Sequence, residues 1–399
     1  MTIAIASALA AVLWLASTGR ADQLAAHTEV QGGSYPRDPQ GRPAIGSEVR
    51  GWASIEYDSP LATAFEFDGD VIAYGSNRRR AIVDAEAALS WRSPRASVSA
   101  GLLRQRSGRF TDSVADVLGT ATTPFSLVDP EVRLSQPAVR AAVFFDHVTV
   151  EGSALIGLRR QPLPERDQRF GFGVETRDVV RKGGLGEQAV AIRVSGTDVD
   201  VDWSAHVFTG VNRRPAFVPR LGIDARLAAV DAVYTDIVQV GGDVETTRAD
   251  WRFLAEGFAR RGGVDVTGQE AAYGVVAAAA EYQRLGTFDG ACNVIPRVDI
   301  TADTRGERAD IPFATSLRAG LRVAQTRRLP LQVEAGYSFD WAFRGHGVMA
   351  SLEKALAESP TLNVGLRMTA FSAGRDPSVL DIWRDDLELL AYVRIGVSR

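Results

Sequence analysis

The stretch DVDVDWSAHVF, residues 198–208, holds the side chains with the clearest potential for chemistry. Aspartates at alternate positions open the calcium loop of helix–loop–helix proteins, which also needs glycine at its sixth position and glutamate at its twelfth. Trp203 and Thr209 stand at those positions, so the stretch does not fit a calcium loop. Its polar residues occupy every second position: Asp198, Asp200, Asp202, Ser204 and His206.

A serine and a histidine so close in sequence raise the question of nucleophilic or acid–base catalysis. On an extended chain, residues two positions apart project in parallel about 6–7 Å apart, too far for Ser204 to bond His206 directly. The sequence shows no glycine-rich phosphate loop, metal-ligand spacing or serine elbow, and Cys292 is its single cysteine. The sequence therefore predicts no catalytic residue, no metal site and no cofactor.

The same stretch has the pattern of one β-strand, in which side chains alternate between two faces. Alternation alone does not show which of two environments the apolar face contacts. In a soluble sheet the apolar face packs on a core, whereas in an outer-membrane barrel it meets lipid and the polar face lines the lumen. The apolar residues that fill the intervening positions are Val199, Val201, Trp203, Ala205 and Val207.

Alternating runs of about ten residues recur from Val49 to the end of the chain, about eighteen in all. This length matches what a tilted strand needs to cross a bilayer. Their apolar positions are mostly Ala, Val and Leu, and aromatic residues such as Trp91 and Trp251 lie near run ends. Short connections such as 93–95 alternate with longer ones such as 211–231 and 284–293. The pattern predicts an all-β fold, a transmembrane antiparallel up-and-down β-barrel of about 16–18 strands.

The N-terminal residues predict export. Residues 1–21 contain the apolar core IAIASALAAVLWLA and end in the small-x-small site Gly19-Arg20-Ala21, so they are expected to be a cleaved signal peptide, although Met1-Thr2 lacks a basic residue. Residues 22–47 are rich in Gly and Pro and are expected to be a flexible N-terminal segment, and 48–399 to be the barrel. The net charge of −4 and the lack of a polybasic block argue against nucleic acid as a partner.

Five stretches carry a family resemblance. In order, they are DPEVRLSQPAVRAAVFF (129–145), WSAHVFTGVNRRPAF (203–217), VQVGGDVETTRADWRFLAEG (238–257), LEKALAESPTLNVGLRMTAFSAGRDPSV (352–379) and RDDLELLAYVRIG (384–396). Together they resemble poorly characterised proteobacterial outer-membrane porin-like β-barrel proteins, over most of residues 49–398. The resemblance implies a pore in the cell outer membrane, with no known substrate and no catalytic residues. Such barrels usually end in an aromatic residue that the barrel-assembly machinery reads, whereas this chain ends IGVSR.

If the apolar face meets lipid, the polar face lines a pore. Inward acidic residues concentrate at 198–202 and inward arginines after residue 250. Opposed charged walls would set a transverse field that orients dipolar or zwitterionic solutes, and the alternative is a solvated wall without a preferred solute. The predicted pore-lining residues are Asp84, Glu86, Asp200, Asp202, His206, Arg252, Arg297, Arg318, Arg322 and Arg367.

Residues 107–136 form the longest segment without a strand pattern, yet they carry apolar residues such as Val117 and Leu118. This segment is expected either to fold inward as a constriction or to form a lid over neighbouring loops. The expected function is passive diffusion of small hydrophilic solutes, with those solutes, outer-membrane lipid and the assembly machinery as partners. Formation of homo-oligomers stays open. The alternatives are a soluble or surface-exposed all-β binding protein and a non-conducting outer-membrane barrel with a structural or enzymatic role.

Overall fold

The structure is a computed structural model of the chain. Among the residues it describes, no helix is long and apolar enough to span a bilayer. The described residues are 24–35, 46–62, 64–76, 82–105, 107, 115–119, 122–123, 132–163, 174–181, 185–223, 227–287, 290–309, 314–325, 330–358, 361–372 and 387–398.

β-strands make up most of the described chain, with one turn of 3-10 helix at Gly306–Arg308. The strands are β1 (Leu24–Tyr35), β2 (Gly46–Ala62), β3 (Phe65–Ser76), β4 (Ile82–Arg92), β5 (Ala96–Leu103), β6 (Thr122–Thr123), β7 (Val132–Arg133), β8 (Gln136–Phe144), β9 (Val148–Leu155), β10 (Glu175–Arg181), β11 (Ala189–Asp198), β12 (Val201–Val211), β13 (Ala216–Leu221), β14 (Leu227–Arg248), β15 (Trp251–Val264), β16 (Glu270–Tyr282), β17 (Arg284–Thr287), β18 (Cys292–Asp303), β19 (Ser316–Gln325), β20 (Leu331–Asp340), β21 (Gly345–Glu358), β22 (Thr361–Ser372) and β23 (Leu387–Ser398).

Eighteen of the described strands form one closed antiparallel ring. The ring runs β1, β2, β3, β4, β5, β8, β9, β11, β12, β14, β15, β16, β18, β19, β20, β21, β22 and β23. The last strand pairs with the first, from His27 opposite Ser398 to Ser34 opposite Ala391. Closure leaves no edge of the ring unpaired. The predicted antiparallel up-and-down barrel is therefore confirmed.

Strand β1 corrects the prediction of a flexible segment at 22–47 over residues 24–35, whereas residues 36–45 lie outside the described residues. It pairs with β2 along its whole length and with β23 on its other side. The glycine pair in LAAHTEVQGGSY weakens the local strand signal, but backbone hydrogen bonds to two neighbours hold a strand that its own sequence only weakly favours. The predicted signal peptide, residues 1–21, lies outside the described residues and stays a prediction.

The stretch 198–208 is a hairpin and not one strand, which is a second correction. β11 ends at Asp198 and β12 begins at Val201, so Asp200 lies in the turn between them. Asp198 is paired with Val201 and shares its face, whereas Asp202 lies on the opposite face. The turn contains neither glycine nor proline, and period-two alternation runs through it without a break.

The two ends of the barrel differ in their connections. One end, the short-turn rim, has the turns 93–95, 145–147, 199–200 and 249–250. The other end, the long-loop rim, has the longest connections, 104–135, 156–188, 212–226, 304–315 and 373–386. The connection 284–293 was predicted among the long loops, but it lies at the short-turn rim, where β17 pairs with β18 and extends a hairpin.

At the long-loop rim, β14 extends beyond the ring. Its first residues pair with β13 on one side and, in parallel, with β10 on the other. Beside this small sheet, the guanidinium of Arg213 is fully buried, and its Nη1 donates to the carbonyl oxygens of Gly157 (2.6 Å) and Glu187 (3.3 Å). Burial lowers the pKa of Arg213 to about 10, so it remains charged at neutral pH and ties together the connections 156–188 and 212–226.

The two faces of the ring have opposite chemistry. On one face, aliphatic side chains such as Ile192 and Val240 are each 55% exposed. On the other face lie most of the charged residues, and even small side chains such as Ala142 and Ala279 are buried there. In a closed cylinder the concave wall crowds its side chains and the convex wall exposes them. The apolar face is therefore the outside of the barrel and the charged face is its inside.

Candidate functional site

The polar interior of the ring is the candidate site. The strand-borne residues predicted to line a pore share the inner face: Asp84 and Glu86 on β4, Asp202 and His206 on β12, Arg252 on β15, Arg297 on β18, Arg318 and Arg322 on β19, and Arg367 on β22. Asp200 is not among them, because it lies in the turn at the short-turn rim. These nine residues thus lie on the face that period-two alternation predicts for them, and their role as pore lining stays a prediction.

Charges on the inner wall are mostly paired with neighbours on the same wall. Arg252 Nε lies 2.7 Å from Glu245 Oε1, and Arg297 Nη2 lies 2.5 Å from Asp299 Oδ1. Arg297 also lies 3.8 Å from Glu281. Adjacent opposite charges cancel most of their field at a distance, so these pairs reduce the transverse field that separate acidic and basic walls would create.

Arg318 and Arg322 are the exception on this wall. They occupy successive inner positions of β19, and both are exposed. Within the described part of the chain neither forms an ion pair, although Glu334 is the direct cross-strand neighbour of Arg322. Asp299 is likewise the cross-strand neighbour of Arg318, so the two arginines are exposed cations that form no direct ion pair but have an acidic residue opposite each.

Asp84 does not face water, although it was predicted to line the pore. Its carboxylate is fully buried and accepts hydrogen bonds from Arg104 Nε (2.9 Å), Arg159 Nη1 (2.5 Å) and Ser135 Oγ (2.8 Å). Glu86, on the same strand, stays partly exposed and accepts from the backbone N–H of Arg104 at 3.0 Å. Asp84 thus joins the two long connections 104–135 and 156–188 to the wall, a role that a strand pattern cannot reveal.

His206 is also buried, at 5% exposure, and so does not face water as predicted. Its Nε2 lies 3.1 Å from Gln239 Nε2. Ser204 Oγ donates to Asp243 and not to His206. The imidazole lies over Gly241, where an added Cβ would come within 2.8 Å of it. His206 is therefore part of a packed polar cluster on the inner wall.

Residues 115–119 of connection 107–136 lie inside the barrel. Gln239 Nε2 donates to the carbonyl of Ala115 (3.0 Å), and Gln136 Nε2 donates to that of Leu118 (3.1 Å). Both glutamines are on the inner face, of β14 and β8. Val117 and Leu118 pack into a buried cluster with inner-face residues, which include Leu103, Ala138, Leu155, Ala191, Phe208 and Ile237.

Asp116 holds the turn of this segment. Its Oδ1 accepts from the backbone N–H of Ser107 and of Gly119, each at 2.9 Å. Its Oδ2 is bonded to Arg133, and Arg214 lies 3.8 Å away. We call residues 115–119 the inner segment. Sequence reasoning did not single out Asp116, although one acidic residue within the apolar run SVADVLG is a sign of a buried, hydrogen-bonded carboxylate.

A cationic and aromatic cluster lies next to the inner segment. Arg260 donates to Gln239 Oε1 (2.9 Å) and to the hydroxyl of Tyr273 (2.8 Å). The guanidinium of Arg305 lies 3.9 Å from the centre of the Tyr273 ring, a cation–π contact. Tyr273 and Arg305 were missed from sequence, because Arg305 lies in a connection whose position depends on the closed ring.

No family model matches this chain, and no curated protein matches it. Solved structures do. The chain is similar to Pseudomonas aeruginosa OpdO, with a TM-score of 0.56, 11% identity, and coverage of 95% of this chain and 97% of the other. It is also similar to Pseudomonas aeruginosa OpdK solved with vanillate (TM-score 0.54, 8% identity, coverage 95% and 99%). A third similar structure is Acinetobacter baumannii OccAB3 (TM-score 0.55, 10% identity, coverage 94% and 99%). At these identities the likeness concerns the fold, which this chain shares with them over nearly its whole length.

Proposed function

We propose that the protein is a porin-like channel of the cell outer membrane for passive diffusion of small hydrophilic solutes. The observation that supports this most directly is the closed ring of eighteen strands with an apolar outer face and a charged inner face. Rings of this size leave an aqueous channel unless something fills them. Aliphatic side chains exposed all along the outer face suit a lipid environment and not water.

The outer face also has the aromatic residues of a membrane interface at the short-turn rim. Trp251 stacks on Phe253 with ring centroids 5.8 Å apart and contacts Tyr282 at 5.0 Å. Trp203 also lies on the outer face at this rim and is exposed. Tryptophan and tyrosine collect at the level of lipid headgroups. We therefore assign the short-turn rim to the periplasmic side and the long-loop rim to the cell exterior.

The inner segment would narrow this channel. It lies against the inner faces of β8, β12, β14 and β15, which places it across the pore wall at the long-loop half of the barrel. Its contacts are buried and specific, so it is a fixed part of the wall. The solute path would then run beside the inner segment, past Arg260 and toward the exposed arginines of β19.

The first test is the conductance of the folded, detergent-extracted protein in a planar bilayer. We expect stepwise single-channel openings, because the strands form a closed ring whose inner face is polar. Heat-modifiable migration on a gel shows independently that the barrel is folded. A folded barrel that conducts nothing would reject the channel and favour a structural or enzymatic barrel. Recovery in the periplasmic fraction would instead favour the soluble binding protein. Vanillate, the compound named with the OpdK structure, is a suitable first solute for flux measurements.

Neutralising Arg318 and Arg322 together, as Arg318→Gln with Arg322→Gln, should shift ion selectivity toward cations. The two side chains are exposed and lack an ion-pair partner among the described residues, so their removal changes the net charge of the pore wall. The reversal potential in a potassium chloride gradient measures this change. Leu321→Ala, on the outer face between them, is the matched control and should leave the potential unchanged. An unmoved potential in the double variant would contradict a role for β19 in selectivity.

A further inference from the structure

The outer face of the β20–β21 hairpin carries a compact aromatic cluster at the long-loop rim. The rings of Phe339 and His346 lie 5.0 Å apart, and Trp341 meets Phe339 edge-on at 6.3 Å. Tyr337 and Trp341 are 46% and 44% exposed, so the cluster is open to the surroundings of the barrel. We call Tyr337, Phe339, Trp341 and His346 the hairpin cluster. A histidine is unusual on this face, whose described side chains are mostly apolar.

A hydrogen bond to Tyr337 fixes the orientation of His346. The phenol oxygen lies 2.6 Å from His346 Nδ1. A phenol O–H is a stronger acid than a neutral imidazole N–H, so Tyr337 donates and Nδ1 accepts, which puts the ring hydrogen on Nε2. The Nε2–H is then a donor on an exposed ring, and within the described residues no protein group accepts from it. The bond thus holds a free donor at the outer surface of the rim.

Arg344 adds a positive charge to the same hairpin. It is an exposed residue of the turn 341–344, two positions before His346, and among the described residues it forms no ion pair. Its φ of 52° lies in the left-handed region, which glycine would adopt without strain. A strained arginine at a glycine-favouring position suggests that its charge has a use, because a glycine would make the same turn more stable.

A cation, an oriented N–H donor and interfacial aromatic rings together suit a phosphate group. Arginine binds phosphate through charge-assisted hydrogen bonds, and tryptophan and tyrosine anchor at the level of lipid headgroups. We propose that Arg344 and the hairpin cluster bind a phosphate group of an outer-leaflet lipid at the rim of the barrel. This inference rests on the proposed function, which places the long-loop rim at the outer leaflet.

The test is retention of lipid by the folded protein, measured by native mass spectrometry in detergent. The probes are phosphorylated lipid A, the same lipid after enzymatic removal of its phosphates, and inorganic phosphate. We expect the protein to bind the phosphorylated lipid about tenfold more tightly than the dephosphorylated one. Asparagine tolerates the left-handed backbone, so Arg344→Asn should keep the turn and lower affinity for the phosphorylated lipid about tenfold. Arg261→Asn removes an exposed outer-face arginine of β15 that has no aromatic cluster around it, and should change little.

Two further variants separate binding from folding. Arg344→Gly relieves the strained φ, so it should raise the unfolding midpoint while it lowers lipid retention, a combination that a folding defect cannot produce. Tyr337→Phe keeps the ring but frees His346, and should weaken retention without a change in conductance.

The proposal is wrong if Arg344→Asn and the unmodified protein retain phosphorylated lipid equally. It is also wrong if Arg261→Asn loses as much lipid retention as Arg344→Asn. Displacement of the lipid by an equal concentration of inorganic phosphate would also overturn it, since the ligand would then be free phosphate. Single-channel conductance of each variant in a bilayer is recorded in parallel. Normal conductance with failed lipid retention rejects this site alone, whereas absent conductance in the unmodified protein rejects the proposed channel.

Discussion

Deletion of residues 112–124 should raise single-channel conductance by about twofold or more, since conductance grows with the cross-section of the narrowest part of a pore. The deletion removes the inner segment, whose Val117 and Leu118 are buried against the inner wall. The larger pore should also pass larger neutral solutes in a liposome-swelling assay. Planar-bilayer recordings of the folded variant measure the effect directly.

Two controls make this expectation specific. Substitution of the exposed pair Glu175 and Arg177 by alanine changes the small sheet at the long-loop rim without touching the inner segment, and should leave conductance unchanged. Gln239→Leu removes the donor to the Ala115 carbonyl and should give noisier channel openings with little change in the mean single-channel conductance. If the variant that lacks residues 112–124 folds and conducts as before, connection 107–136 does not narrow the pore. A lid over other loops is then the better description of that connection.

Asp84→Ala should be the most destabilising single substitution considered, at about 3–5 kcal/mol of unfolding free energy. The carboxylate is fully buried and is shared by Arg104 and Arg159, so alanine leaves both guanidinium groups without their common partner. It also removes the acceptor of the Ser135 backbone N–H, whereas Ser135 Oγ keeps the Ala85 carbonyl as an acceptor. Urea unfolding in lipid vesicles, followed by tryptophan fluorescence, measures the loss.

Comparison of Asp84→Ala with Asp84→Asn and Glu175→Ala tests whether burial of a shared carboxylate causes the loss of stability. Asp84→Asn keeps the shape of the side chain and one acceptor oxygen, and should lower the unfolding free energy by only about 1–3 kcal/mol. Glu175→Ala breaks an ion pair in which both side chains are mostly exposed, and should have no measurable effect. Equal stability of Asp84→Ala and the unmodified protein would show that the two arginines find other partners. Their network would then not hold the long connections to the wall.

Local pattern was sufficient for the fold class and for the face of most residues. LNVGLRMTA, residues 362–370, was recognised from alternation alone, and it lies within β22 with Arg367 inside and Leu366 outside. This works because side chains in a strand alternate strictly, and because a barrel gives its two faces opposite surroundings along every strand. The same logic placed Arg252, Arg297, Arg318 and Arg322 on the inner face.

Features that depend on which strands meet were not predictable. Composition predicts a flexible segment where β1 lies, because the stability of β1 comes from pairing with β2 and β23 and not from its own residues. The hairpin at 199–200 was missed, since alternation continues through a turn that lacks glycine and proline. In both cases the deciding hydrogen bonds join residues far apart in sequence or reverse the chain without a local signal.

Polar and apolar residues alternate over strand-length runs of this chain, and that pattern is enough to predict a barrel with a charged interior. Which of the interior charges face water depends on the three-dimensional arrangement of the strands and connections. Asp84 and His206 have the same alternation as Arg318 and Arg322, yet the first two are buried and bonded whereas the arginines are exposed. The reason is that burial on a concave wall depends on what lies across it. Connections 104–135 and 156–188 cover one part of the wall and leave β19 open, and their path is fixed by contacts such as Arg159 with Asp84, 75 residues apart.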